Sequence, residues 1–61
     1  MTALPLAAYV AAYIAAIRDY RRHLAHCRRC TRTVHCHRGS RRHTDYLRTQ
    51  AAYRAARDHR R

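Results

Sequence analysis

His23-Leu24-Ala25-His26-Cys27-Arg28-Arg29-Cys30 is the stretch on which the fold turns. It ends one helical pattern and begins a cluster of metal-ligating side chains. Upstream, Leu6, Val10, Tyr13, Ile17, Tyr20, Leu24 and Cys27 recur at alternating spacings of four and three, which is one apolar seam along an α-helix. Pro5 suits a first helical turn, with Thr2 or Ala3 just outside it. Ala8, Ala11, Ala12, Ala15 and Ala16 keep the flanks small enough for another helix to approach closely. A helix is therefore expected from residue 5 to about residue 26.

Downstream, residues 27–43 (CRRCTRTVHCHRGSRRH) carry no helical period, and Gly39-Ser40 reads as a turn. A second helix is expected from 44 to about 60, capped by Thr44 or Ser40. Its stripe is Tyr46, Gln50, Tyr53 and Arg57, with Leu47, Ala51 and Ala55 beside it. Arg60 and Arg61 near its end suit the helix dipole. The expected fold is all-α. It is a small hairpin of two helices joined by a zinc-binding loop, with residues 1–61 as a single domain.

Of the nine histidines and cysteines, eight lie between His23 and His43, and only His59 falls outside. His23 and Cys27 are four apart at a helix end and share a face, and Cys27-x2-Cys30 converges as the helix stops. Structural zinc takes four N or S ligands in a tetrahedron. Three are in place, and the fourth must come from downstream. Cys36 is preferred as a thiolate, with His35 and His37 as its flanking substitutes. His26 also stands four before Cys30, but His23 is in register with both cysteines. His43 and His59 are expected on the surface.

The same run, His23-x3-Cys27-x2-Cys30 with Leu24 after the histidine, resembles the signature of the zinc-associated anti-sigma family. Members of that family are small helical domains that clasp a sigma factor and hold it off RNA polymerase. The resemblance implies His23, Cys27 and Cys30 as metal ligands and a protein of the transcription machinery as partner. The family's other cysteine lies upstream of the histidine. Here residues 1–22 contain none, and Cys36 stands on the other side.

Composition narrows the function. A chain of 61 residues buries only about 60% of its unfolded surface, and such chains usually need a cross-link, a metal or a partner. There is no Phe, Trp, Lys or Glu, and the acids are Asp19, Asp45 and Asp58. Neither a cofactor-sized pocket nor an acid–base pair is expected, so the chain is read as a non-enzyme without a small-molecule substrate. Arginine in place of lysine fits a GC-rich bacterial or phage genome. The odd count of three cysteines argues against a disulfide framework. Residues 3–17 are apolar but lack the flanks of a secretory signal and fall short of the roughly 20 residues of a membrane span. A cytoplasmic location is expected.

Two functions follow. The first is a small zinc-binding regulatory adaptor for the transcription machinery, with Leu6, Val10, Tyr13 and Ile17 meeting a partner or a second copy. The second is a basic nucleic-acid-binding module, in which Arg28, Arg29, Arg41, Arg42, Arg48 and Arg54 meet phosphates. The net charge of +11 predicts attraction to polyanions in either case.

Overall fold

A computed structural model describes residues 4–59. Helix α1 runs Leu6–His26 and helix α2 runs His37–His59. Tyr13 meets Tyr53 and Tyr46, whereas Tyr20 meets Tyr46 and His43. Rising numbers in α1 thus pair with falling numbers in α2, and the helices form an antiparallel hairpin. The chain is rod-like, 41 × 19 × 16 Å. Its radius of gyration is 13.4 Å, against about 10.5 Å for a compact chain of this length. No helix among the described residues is long and apolar enough to cross a membrane.

The first helix matches its expected span. Pro5 sits just before it, extended at φ −67° and ψ 154°, and its carbonyl accepts from the Ala8 N–H at 3.0 Å. Thr2 and Ala3 lie outside the described residues. Leu6, Val10, Tyr13, Ile17, Tyr20, Leu24 and Cys27 are all half-buried, while Ala7, Ala11, Ile14 and Arg18 on another face are exposed.

The second helix starts seven residues earlier than expected, at His37 rather than Thr44. Ser40 and Thr44 lie inside it, so neither caps it, and Gly39 is a helical residue rather than a turn. The reason lies in the inward-facing residues. Gly39, His43, Tyr46, Gln50 and Tyr53 alternate by four and three and are buried or half-buried. Two of the first three are a glycine and a histidine, which carry no apolar signal. At the far end Arg57 leaves the stripe. It is exposed, lies over the Tyr53 ring at 5.6 Å and faces Asp58 at 3.6 Å.

Aromatic rings stack across the middle of the seam between the helices, with half-buried Leu6, Val10, Ile17 and Leu24 on the same face of α1. Tyr13 stacks on Tyr53 and Tyr46 at 5.7 and 6.0 Å, and Tyr20 stacks on Tyr46 at 5.6 Å. Gln50 Nε2 donates to Tyr13 Oη across the interface at 3.2 Å. His43 is half-buried rather than on the surface, between Tyr20 at 5.3 Å and His35 at 4.8 Å. His59 is exposed, as expected. Among the described residues the only buried ones are Cys30 and Gly39, so the most enclosed point of the molecule is not an apolar core.

Candidate metal centre

That enclosed point is where four ligating side chains meet. The ligand atoms of His23, Cys27, Cys30 and Cys36 all lie within 4.8 Å of one another. His23 comes from the last turn of α1, and Cys27 is the residue that ends it, its N–H bonded to the His23 carbonyl at 2.9 Å. The Cys30 N–H reaches the Cys27 carbonyl at 3.3 Å, a tight turn that brings the second thiol back toward the first. Thr31 closes the next turn. Its N–H donates to the Val34 carbonyl at 2.7 Å, and its hydroxyl accepts from the Val34 N–H at 3.0 Å.

Cys36 then opens α2. Its carbonyl accepts from the Ser40 N–H at 2.8 Å and its thiol from the Gly39 N–H at 3.3 Å. Accepting from the third helical N–H is the role that Ser, Thr, Asp or Asn usually plays at a helix start. The ligand and the helix cap are therefore one side chain. A sulfur cap lacks the Ser, Thr, Asp or Asn signal of a helix start, so the expected start at Thr44 falls too late.

Cys36 Sγ is the hub of the cluster. His23 Nε2 lies 3.2 Å from it, and the Cys30 and Cys27 thiols donate to it at 3.5 and 3.8 Å. The Gly39 N–H foremost, then the His23 ring, hold its pKa at about 6 against the effect of burial. The Cys30 sulfur accepts the Cys36 N–H at 3.3 Å, which alone would lower its pKa. Burial, the bonds to the Cys36 and Cys27 thiols and the charge of Cys27 outweigh that and raise it. The cluster thus concentrates thiolate character on Cys36, the form in which sulfur binds metal.

Gly39 makes room for the cluster. A Cβ at that position would stand 2.7 Å from Cys30 Sγ, 3.3 Å from His23 Cδ2 and 3.4 Å from His23 Nε2. The role of the chain's one glycine is close approach of the α2 backbone to the ligands. Gly39 is not the turn that Gly39-Ser40 suggests. Its place three residues after Cys36, in phase with the inward stripe, is the signal that would have revealed the role.

The expected ligands His23, Cys27, Cys30 and Cys36 are all brought together. The alternatives are not. His35 turns to Tyr20, whose hydroxyl lies 2.8 Å from its Nε2, and His37 and His26 are exposed. In the expected partner seam, Tyr13 is engaged by α2, and Leu6, Val10 and Ile17 are half-buried on the same face. Arg28, Arg29, Arg41, Arg42, Arg48 and Arg54 are all exposed. The acids do little to offset them. Asp19 and Asp58 face their sequence neighbours Arg18 and Arg57 at 3.8 and 3.6 Å, exposed contacts that contribute little. Compared with known proteins, no family model matches the chain, and no curated protein or solved structure is significantly similar to it.

Proposed function

We propose that the chain is a zinc-structured helical hairpin that binds nucleic acid through the arginines around its metal end. Zinc suits the donor set. With Zn–S near 2.3 Å and Zn–N near 2.0–2.1 Å, a tetrahedral site has S···S edges of about 3.8 Å and S···N edges of about 3.6 Å. The three edges that meet at Cys36 Sγ are 3.8, 3.5 and 3.2 Å, within a few tenths of an ångström of these values, and all six edges are no longer than 4.8 Å. Four protein ligands leave no open position for catalysis, which makes the metal structural. Three thiolates and one Zn²⁺ change the formal charge by −1, from +11 to about +10.

One observation carries the nucleic-acid reading, and it is the segregation of charge. Residues 4–17 hold no charged side chain, while ten of the fourteen arginines fall within residues 18–48, against two aspartates. A cationic end of this density attracts phosphate by counterion release. The test is a titration of an oligonucleotide with the zinc-loaded chain at rising salt. The log–log slope should approach about −0.7 to −0.9 per phosphate contacted. Arg38, Arg41 and Arg42 changed to Gln should weaken binding and flatten the slope by about one per lost contact, and Arg54 and Arg57 changed to Gln should do less. Equal effects per charge removed at both ends would reduce the binding to unspecific attraction and defeat the reading.

The anti-sigma-like adaptor, the first expectation from the sequence, is kept here as the second reading, supported by the His23-x3-Cys27-x2-Cys30 signature. Because α2 occupies the seam at Tyr13, the exposed large apolar residues for a protein partner are Leu4, Ile14, Val34 and Leu47, 61%, 57%, 60% and 47% exposed. Ile14→Asp should abolish a protein contact there and leave nucleic-acid binding unchanged.

A further inference from the structure

A groove of about 550 Å³ runs beside the interhelical seam, lined by Ile17, Tyr20, Arg21, Leu24, Arg32 and Tyr46. We propose that it receives an unpaired base of a single-stranded nucleic acid, with the flanking phosphates on Arg21 and Arg32. This rests on the nucleic-acid reading above and specifies the kind of strand. Three features separate the groove from the other depressions of the surface.

First, no carboxylate lines it. The depressions formed by Arg38, Arg41, Arg42 and Asp45, by Asp19, Arg22, His23, His26 and Arg42, and by the Ser40–Arg48 face each include an aspartate, which offsets part of their positive charge. Second, it joins aromatic and apolar walls to two exposed guanidinium groups, the combination that binds single strands. Bases stack on rings while cations follow the backbone. A base held inside a duplex has no free face to offer such a wall. Third, the wall is ordered beforehand. Tyr20 is stacked on Tyr46 at 5.6 Å, backed by His43 at 5.3 Å, and its hydroxyl is fixed 2.8 Å from His35 Nε2. Little side-chain freedom is left to lose on binding.

The experiment uses the zinc-loaded full chain and a labelled 12-nucleotide strand, read by fluorescence anisotropy at fixed salt. The strand should bind about tenfold more tightly than an abasic strand of equal length and charge, the effect of about one base stack. It should also bind more tightly than its own duplex. Arg21→Gln with Arg32→Gln should remove most of the difference between base-bearing and abasic strands, whereas Arg54→Gln with Arg57→Gln should preserve it. These surface changes and the abasic probe leave the packed rings intact, so a folding defect cannot imitate the result. Equal binding of base-bearing and abasic strands with the salt slope retained would overturn this inference and leave the nucleic-acid reading standing. Displacement of the strand by polyglutamate at equal charge would assign the groove to an acidic peptide and overturn it too. Absence of any binding at low salt would overturn both.

Discussion

The two ends of the hairpin are held together by different physics. At the loop end, two short turns and the cap of α2 converge on four ligand atoms, and the molecule's only buried residues among those described, Cys30 and Gly39, lie there. At the open end, α1 contributes Leu6, Ala7, Ala8, Val10, Ala11 and Ala12, α2 contributes Ala51, Ala52, Ala55 and Ala56, and none of them is buried. Alanine has little surface to remove from water, at about 25 cal/mol per Å², and gains little by packing. The accessible surface of the whole chain is 5418 Å², against roughly 4,100 Å² for a compact monomer of this mass. The hairpin is therefore pinned at its loop end and clasped loosely elsewhere. The ligand cluster lies where the charges are densest, so a metal held there would act against the repulsion of Arg28, Arg29 and Arg32.

The sharpest way to break this contrast is to remove the metal. A structural zinc contributes on the order of 10 kcal/mol in zinc-finger peptides near neutral pH, more than an alanine-rich seam supplies. A strong chelator, or Cys27→Ser or Cys30→Ser, should abolish most of the helical circular dichroism, and zinc should restore it to the chelated wild type. Helicity indifferent to chelation would show that the tyrosine seam holds the fold alone.

Protons should achieve the same release. Metal binding requires the thiolates, so protons compete with zinc for Cys27, Cys30 and Cys36. Zinc followed by a chromogenic indicator should be retained at neutral pH and released progressively on acidification. The folded-state preference of Cys36 itself runs the same way. Its pKa lies below the ordinary 9.0, so its thiolate favours the folded chain fully above that value. The contribution shrinks between 9 and 6 and is gone below about 6. Metal retention that does not change with pH would contradict a site built on thiolates.

Gly39→Ala probes the same end without touching a ligand. The new Cβ would stand 2.7 Å from Cys30 Sγ, and a sulfur fixed by a metal cannot swing aside. A cost of about 1–3 kcal/mol is expected for such overpacking, seen as faster zinc loss to a competing chelator. Exposed Ser40→Ala next to it should have no effect.

Toward the middle of the rod, Tyr13→Ala removes the ring between Tyr46 and Tyr53 and the partner of Gln50. Because that ring is only half-buried, about 1–2 kcal/mol is expected, below the 3–5 kcal/mol of a fully buried aromatic. Chemical denaturation of the zinc-loaded chain measures it. The smallest effect belongs to the exposed face of α1, where Ile14→Ala should change stability by less than about 0.5 kcal/mol. A larger loss there would mean that the exposed face of α1 is covered in solution.

How much of this was legible in the residues follows from what each signal consists of. The four-and-three recurrence from Leu6 to Cys27 is a property of apolar side chains on a 3.6-residue period, and it located α1 to within a residue. The spacing of His23, Cys27 and Cys30 is likewise local, because a helix end fixes which side chains share a face. Those two patterns, with the thin apolar composition, determined a helical chain in need of a cross-link. Which downstream donor completes the set is a question of how the chain returns. The turn through Thr31 and Val34 carries Cys36 inward and sends His35 to Tyr20, a choice that no spacing encodes. The start of α2 was hidden for a related reason. Its first turns face the cluster with Gly39 and His43, residues chosen for space and for stacking rather than hydrophobicity, and its cap is a thiol. Only the packing of one helix end against the other makes a glycine, a histidine and a sulfur serve as the inward side of a helix.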